Sequence, residues 1–243
     1  MLVNNDAVIA PYNTMKVVEY LEYNDIGGVQ GTIMQAYNPK IIDNTGFIID
    51  TFGLNYPVCR GYTIECSRMY FPSYLSGAHS MYKRELIDKI GGKPFSNYFE
   101  GYFDDRYLGL LAWAKGYKLL HVPLITTYHL GSQTYSGIDR VVKSTRWFEN
   151  IVLSDLVSSS IISNIGMAIL TYMLSSLLAS ILKHKNYVKS LINAYRRYKL
   201  YTSKYEYEML RKLINNTNIP LLRKKISLRS HLKGIDIKMV IDQ

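Results

Sequence analysis

The sequence predicts an α/β fold over residues 1–150, followed by an α-helical extension over residues 151–243. Three observations predict it. Short apolar, β-like runs alternate with stretches of helical periodicity as far as His129. Residues 156–182 then run for 27 positions without a charge. From Lys183 onward the chain is basic and rich in tyrosine, with 15 Lys or Arg against 4 Asp or Glu.

In order, residues 1–5 read as a strand. Pro11 suits a helix start, with Asn13 or Thr14 as alternative caps, and Val17, Val18 and Leu21 keep a helical rhythm over residues 15–23. Asn24, Asp25, Gly27 and Gly28 end that helix. Residues 29–35 are β-like, 38–46 form a turn-rich link, and 47–52 form a short strand. Residues 53–74, punctuated by Pro57, Gly61 and Pro72, read as a loop suited to lining an acceptor site. A strand at 80–82 and a short helix at 83–90, stopped by Gly91 and Gly92, follow. Residues 105–115 read as a helix with Leu108, Leu111 and Ala112 on one face, and 118–128 as a strand. Helices are expected over 140–155 and 186–214, with a break at 215–220 and a short basic end at 221–238.

Apolar residues at 48% and charged residues at 20% exclude a disordered chain. Cys59 and Cys66 are too few for a disulfide framework and lack metal-type spacing, which points to a reduced, cytosolic setting. The first residues have no basic region followed by an apolar core, so no signal peptide is expected. The net charge of +10 is confined to the tail: residues 1–182 hold 14 basic and 15 acidic side chains. Such asymmetry points to an anionic partner for the tail, membrane lipid rather than nucleic acid.

Chemistry concentrates at two places. Residues 98–109 set the adjacent carboxylates Asp104 and Asp105 among aromatics, ahead of a helix. Adjacent carboxylates repel, which drives one toward a base-like pKa suited to deprotonating a hydroxyl. The same pair suits a helix N-cap before Arg106. At the other end, Asn4-Asn5-Asp6 closes an apolar strand, where Asp6 suits a hard cation or an Asx turn. His129 ends the strand that follows the acidic pair.

Taken together, these residues resemble the second half of an inverting family-2 glycosyltransferase with the GT-A fold, nearest the rhamnosyltransferase-like members. Asn4-Asn5-Asp6 resembles the family's Asp-x-Asp metal motif, and Gly27-Gly28-Val29-Gln30-Gly31 the strand after it. Leu75-Ser76-Gly77-Ala78, Lys83-Arg84-Glu85-Leu86 and Ile90-Gly91-Gly92 resemble the segment before the active-site loop. Asp104-Asp105 stands where the family has Glu-Asp, while Gly116-Tyr117, Pro123 and His129 follow at matching spacing. The resemblance covers residues 1–150 and implies an incomplete GT-A, Rossmann-like mixed sheet without the family's N-terminal nucleotide-binding half. It implies a transferase acting on a nucleotide-sugar donor and a glycan or lipid-linked acceptor, as in polysaccharide biosynthesis. Asp105, with Asp104 beside it, would be the catalytic base. Asp6 and His129 would hold Mg²⁺ or Mn²⁺, and Asn4, Ser76, Gly77 and Ala78 would line the donor and acceptor sites. Alternatives are a non-catalytic or split remnant acting as a scaffold, and a basic adaptor for membrane or nucleic acid. A sheet without its first strands exposes an edge, so a partner chain or a second copy is expected there.

The uncharged stretch is long enough to span a bilayer, which takes about 20 residues. Serines at 154, 158, 159, 163, 175, 176 and 180 nevertheless give it a partly polar stripe. A single span would also separate a cytosolic sugar-nucleotide site from a basic tail that belongs on the same side. The reading is therefore helices lying in or against the cytoplasmic membrane face, peripheral or monotopic, with a true span and a buried helix as alternatives.

Overall fold

Pro11 sits at the first helical position, where its missing N–H costs nothing, and opens helix α1 (Pro11–Val18). The computed structural model of the chain describes residues 1–95, 104–131, 140–163, 166, 169–175, 185–223 and 234–241. Ahead of α1 lie the short strands β1 (Leu2–Val3) and β2 (Ala7–Ile9), joined by a turn in which Ala7 donates to the Asn4 carbonyl at 3.2 Å. After it come β3 (Ile26–Gln35), β4 (Ile42–Asn44), β5 (Phe47–Asp50), β6 (Asn55–Pro57), β7 (His79–Tyr82), helix α2 (Arg84–Lys89), helix α3 (Asp104–Ala114) and β8 (Lys118–His129).

The main sheet is mixed, in the order β1-β7-β3-β8-β2, with β4 paired to β3. Strands β3 and β8 run parallel, whereas β7 is antiparallel to both β3 and β1. Every residue of β3 but the last is buried, as a central strand covered on both faces requires. The expected loop at 53–74 contains β6, which joins a second sheet, β6-β5-β9. Its third strand, β9 (Leu221–Leu222), comes from the extension and pairs parallel to β5.

The extension is built into the fold. Helix α4 (Arg140–Ile162) passes straight through the expected boundary at residue 150. Helices α5 (Lys185–Thr202) and α6 (Tyr205–Ile214) follow, broken at 203–204 where one helix was expected, and α7 (Lys238–Ile241) ends the described chain. One core cluster joins Leu75, Leu110, Trp113 and Leu119 to Val152, Leu156, Val157, Leu191 and Tyr201. Trp113 and Tyr117 are core residues.

The membrane-lying reading of residues 156–182 is therefore corrected for residues 156–161. Val152, Leu153, Leu156, Val157 and Ile161 are buried, and so are Ser154, Ser158, Ser159 and Ser160. Small hydroxyl side chains let other backbone come close. At Gly53 (φ +88°) an added Cβ would stand 2.4 Å from the Ser159 nitrogen. The helical residues 169–175 differ, since Ile169, Leu170, Met173 and Leu174 are exposed. Among the described residues no helix is long and apolar enough to cross a membrane.

The cysteine reading is corrected as well: Cys59 and Cys66 form a disulfide, with Cα atoms 5.8 Å apart. Two cysteines are too few for a framework but enough to staple one short loop.

Candidate active site at the strand ends

Because β1, β3 and β8 point the same way and β7 the other, the ends of the first three and the start of β7 share one edge of the sheet. That edge collects Asn4 and Asp6 after β1, His129 at the end of β8, and Ser76-Gly77-Ala78 before β7. Ligand sites in α/β sheets favour the carboxyl ends of strands, where loops rather than ladder pairs set the surface.

His129 lies between two carboxylates. Its Nε2 is 3.2 Å from Asp6 Oδ1, and its Nδ1 is 3.0 Å from Asp43 Oδ2. Asp6 is buried. Burial opposes charge on the ring, but the hydrogen bond and charge of Asp43, with those of Asp6, outweigh it and raise the His129 pKa above its ordinary value. Arg60 lies 3.6 Å from the other Asp43 oxygen. The carboxylate at each ring nitrogen and the raised pKa favour the protonated ring, so two carboxylates face an imidazolium and a guanidinium, and a bound cation would have to replace the Nε2 proton.

A continuous hydrogen-bonded path runs from this cluster to Asp105. Asn44 Nδ2 donates to Asp43 at 3.2 Å, and the fully buried Gln30 donates through Nε2 to Asn44 Oδ1 at 3.0 Å. Gln30 Oε1 accepts the Ser76 N–H at 2.6 Å. The next residue, Gly77, donates its N–H to Asp105 Oδ2 at 3.2 Å. The path also closes at the front, where the Asn4 N–H donates to the Ala78 carbonyl at 3.0 Å.

Asp105 is partly buried in the first turn of α3, and its Oδ1 accepts the Arg106 N–H at 2.8 Å. Burial raises its pKa above the ordinary carboxylate range, against the hydrogen bonds from Gly77 and Arg106. Burial, not the expected repulsion from Asp104, is the main cause. Asp105 is also a hydrogen-bonded acceptor, and Asp104 opens α3. Among the described residues an ideal Cβ at Gly77 would meet nothing nearer than Asp105, at 3.7 Å, so the bare glycine leaves room for about one methyl group beside the carboxylate.

Arg106 fixes this turn from behind. It is buried, bonds Asp155 Oδ1 at 3.1 Å and Ser158 Oγ at 2.9 Å, and also donates to Asn55 Oδ1. The Tyr74 ring lies 5.7 Å from the guanidinium. The carboxylate at 105 thus depends on α4, part of the extension.

Asp6, His129, Ser76, Gly77, Ala78 and Asp105 therefore meet along one edge. Asn4 is exposed and enters by its backbone alone. Residues 98–103 of the aromatic run lie outside the described residues. Sequence reasoning missed Gln30, Asp43, Asn44 and Arg60. A lone amide inside the apolar run of β3 was a readable signal for Gln30, but nothing local marked Asp43.

Asp6 offers a carboxylate oxygen of the kind a hard cation prefers, and His129 an imidazole that suits such an ion less. Octahedral ligands about 2.1 Å from Mg²⁺ sit about 3 Å apart at a right angle, near the separation of Asp6 Oδ1 and His129 Nε2. A carboxylate on the far ring nitrogen, here Asp43, is the usual orienting partner of a ligating histidine. Among the described residues no group of three His, Cys, Asp or Glu is arranged to hold a metal ion. No protein-family model matches the chain, and no curated protein matches it.

Proposed function

We propose that the strand-end site transfers a sugar, with inversion, from a nucleotide-sugar donor to a hydroxyl of a glycan or lipid-linked acceptor. The observation that carries this reading is the path Asp6–His129–Asp43–Asn44–Gln30–Ser76, with Gly77 next on Asp105. It joins a cation-suited pair to a raised-pKa carboxylate within one bonded edge.

Asp105 takes the proton from the acceptor oxygen as that oxygen attacks the anomeric carbon, and the bond from that carbon to the nucleoside diphosphate breaks. Burial suits Asp105 to the role, because a carboxylate above its ordinary pKa is a stronger base. Gly77 holds the carboxylate in place through its N–H and, lacking a side chain, does not cover it. Asp6 and His129 would hold a divalent cation, which when bound neutralises charge on the departing diphosphate. Asp43 keeps the ring turned for that task.

The acceptor side of the reading places the protein at the cytoplasmic membrane face. The exposed Ile169, Leu170, Met173 and Leu174 adjoin α5 through Tyr172 and Tyr195, whose rings are 4.9 Å apart. On α5, Val188, Ile192, Tyr195 and Leu200 are exposed beside Lys189, Arg196 and Lys199. An apolar stripe flanked by cations suits an anionic lipid surface.

Isothermal calorimetry with a panel of nucleotide sugars and Mn²⁺, then product analysis with lipid-extracted acceptors, tests the enzyme. Donor binding lost in Asp6→Asn, and turnover lost in Asp105→Asn with donor binding kept, is the expected pattern. Absence of heat with every donor would defeat it for this chain.

A further inference from the structure

We propose that Asp43 is the positioning residue of His129, and that the Cys59–Cys66 disulfide is the latch that holds Asp43 in place. The redox state of a loop outside the site then sets the geometry within it. The loop reaches Asp43 in two ways. Arg60, next to Cys59, pairs with Asp43 at 3.6 Å. The backbone of the same loop pairs with Ile42, the residue before Asp43: Gly61 donates to the Ile42 carbonyl at 3.0 Å, and Ile42 donates to the Tyr62 carbonyl at 2.8 Å.

The loop is held in a form that it would not keep alone. Cys59 has φ +56°, in the left-handed region that a side chain disfavours. Three constraints keep it there. Its sulfur is bonded to Cys66, its N–H donates to Ile235 at 2.8 Å, and its carbonyl accepts from Tyr62 at 3.1 Å. Both cysteines are buried. A dithiol reductant would supply two electrons and two protons, cleave the S–S bond to two thiols, and leave as its own disulfide. Freed of the cross-link, Cys59 relaxes toward negative φ, Arg60 and the Ile42 pairing loosen, and Asp43 loses its hold on Nδ1. Cytosolic disulfides are commonly transient or redox-sensing, which fits the cytoplasmic placement that the proposed function carries. The consequence for metal holding rests on the function proposed above; the coupling of bridge to ring does not.

Three measurements on the full chain test the latch. Alkylation followed by mass spectrometry should label Cys59 and Cys66 only after reduction; labelling of the untreated protein would overturn the proposal. Two-bond ¹H–¹⁵N spectra of the histidine rings, with His129 assigned by loss in His129→Asn, should show a fixed Nδ1–H in the oxidised protein. That signature should average out after dithiothreitol, in Cys59→Ser/Cys66→Ser and in Asp43→Asn, with far-UV circular dichroism unchanged. Arg60→Ala, with the bridge intact, should lose it in part, which keeps the test valid if the cysteine variant fails to fold. A His129 signature identical in oxidised and reduced protein would overturn the latch. Mn²⁺ affinity by electron paramagnetic resonance should fall about tenfold on reduction. If the oxidised protein binds no Mn²⁺, the metal reading fails, and the ring spectra still decide the latch by themselves.

Discussion

Two ionic clusters bear on Asp105, and they differ in what their charges face. Around Arg106 everything is internal: its cation faces Asp155, two further side-chain oxygens and a tyrosine ring, with side-chain exposures of 4% and 10% for the ion pair. Around His129 one ring serves two carboxylates, at the rim of the sheet, with 14% of the ring exposed. The first cluster balances and locks α3 to α4. The second holds its charges at the sheet rim, where solvent and ligand reach them. Removing a member of the first should therefore cost folding, and removing a member of the second should cost function.

The largest effect that sharpens this contrast is on stability. Arg106→Met leaves Asp155 buried without its cation and should destabilise by about 3–5 kcal/mol in urea titration. Adding Asp155→Leu should recover much of that loss; no recovery would mean that the pair is not the lock.

Asp105→Asn comes next. It should lower turnover by about 10²–10⁴-fold while the fold persists. The sign of its pH dependence follows from its raised pKa. The stability tied to a protonated Asp105 is fully present below the unfolded carboxylate value of about 3.9 and is lost as pH rises through the higher folded value. The wild type should therefore lose stability relative to Asp105→Asn across that window. Its activity, which needs the ionised form, should rise across the same window. A stability difference independent of pH would contradict the assignment.

Asp43→Asn should weaken Mn²⁺ binding by about 10–100-fold with little change in unfolding midpoint. An equal loss of stability would make the His129 cluster another lock and erase the contrast.

The apolar stretch allows a milder test. Met173→Glu, on the exposed half, should reduce co-sedimentation with phosphatidylserine vesicles without unfolding the protein. Val157→Glu, on the buried half, should unfold it. Binding unchanged in the first variant, or carried by a protein partner alone, would remove the lipid surface from the reading. Smallest of all, Gly77→Ala should shift stability by less than about 0.5 kcal/mol yet lower turnover, since its methyl group enters the space beside Asp105.

Much of the fold was legible because local periodicity carries it. Strands at 26–35, 79–82 and 118–129 and the helix at 104–114 fall close to the segments that alternation and glycine stops mark. Asp6, His129 and Asp105 were legible because each ends or begins such an element. The partners that organise them were not. Asp43 lies 86 positions from His129 in sequence, and Gln30 lies 46 from Ser76. The uncharged stretch misled for a related reason: hydrophobicity measures the wish to leave water, and does not say whether lipid or protein receives the side chains.

By itself the sequence determined which segments are strands and helices, where the carboxylates and the histidine stand on them, and that positive charge gathers in the tail. Those are properties of neighbours along the chain. Only the tertiary structure decided that Asp43 and Gln30 tie the two ends of the site together, that Cys59 bonds to Cys66, and that residues 151–161 face protein. Each of these depends on contacts between elements distant in sequence, whose free energy is realised only once the sheet has brought them together.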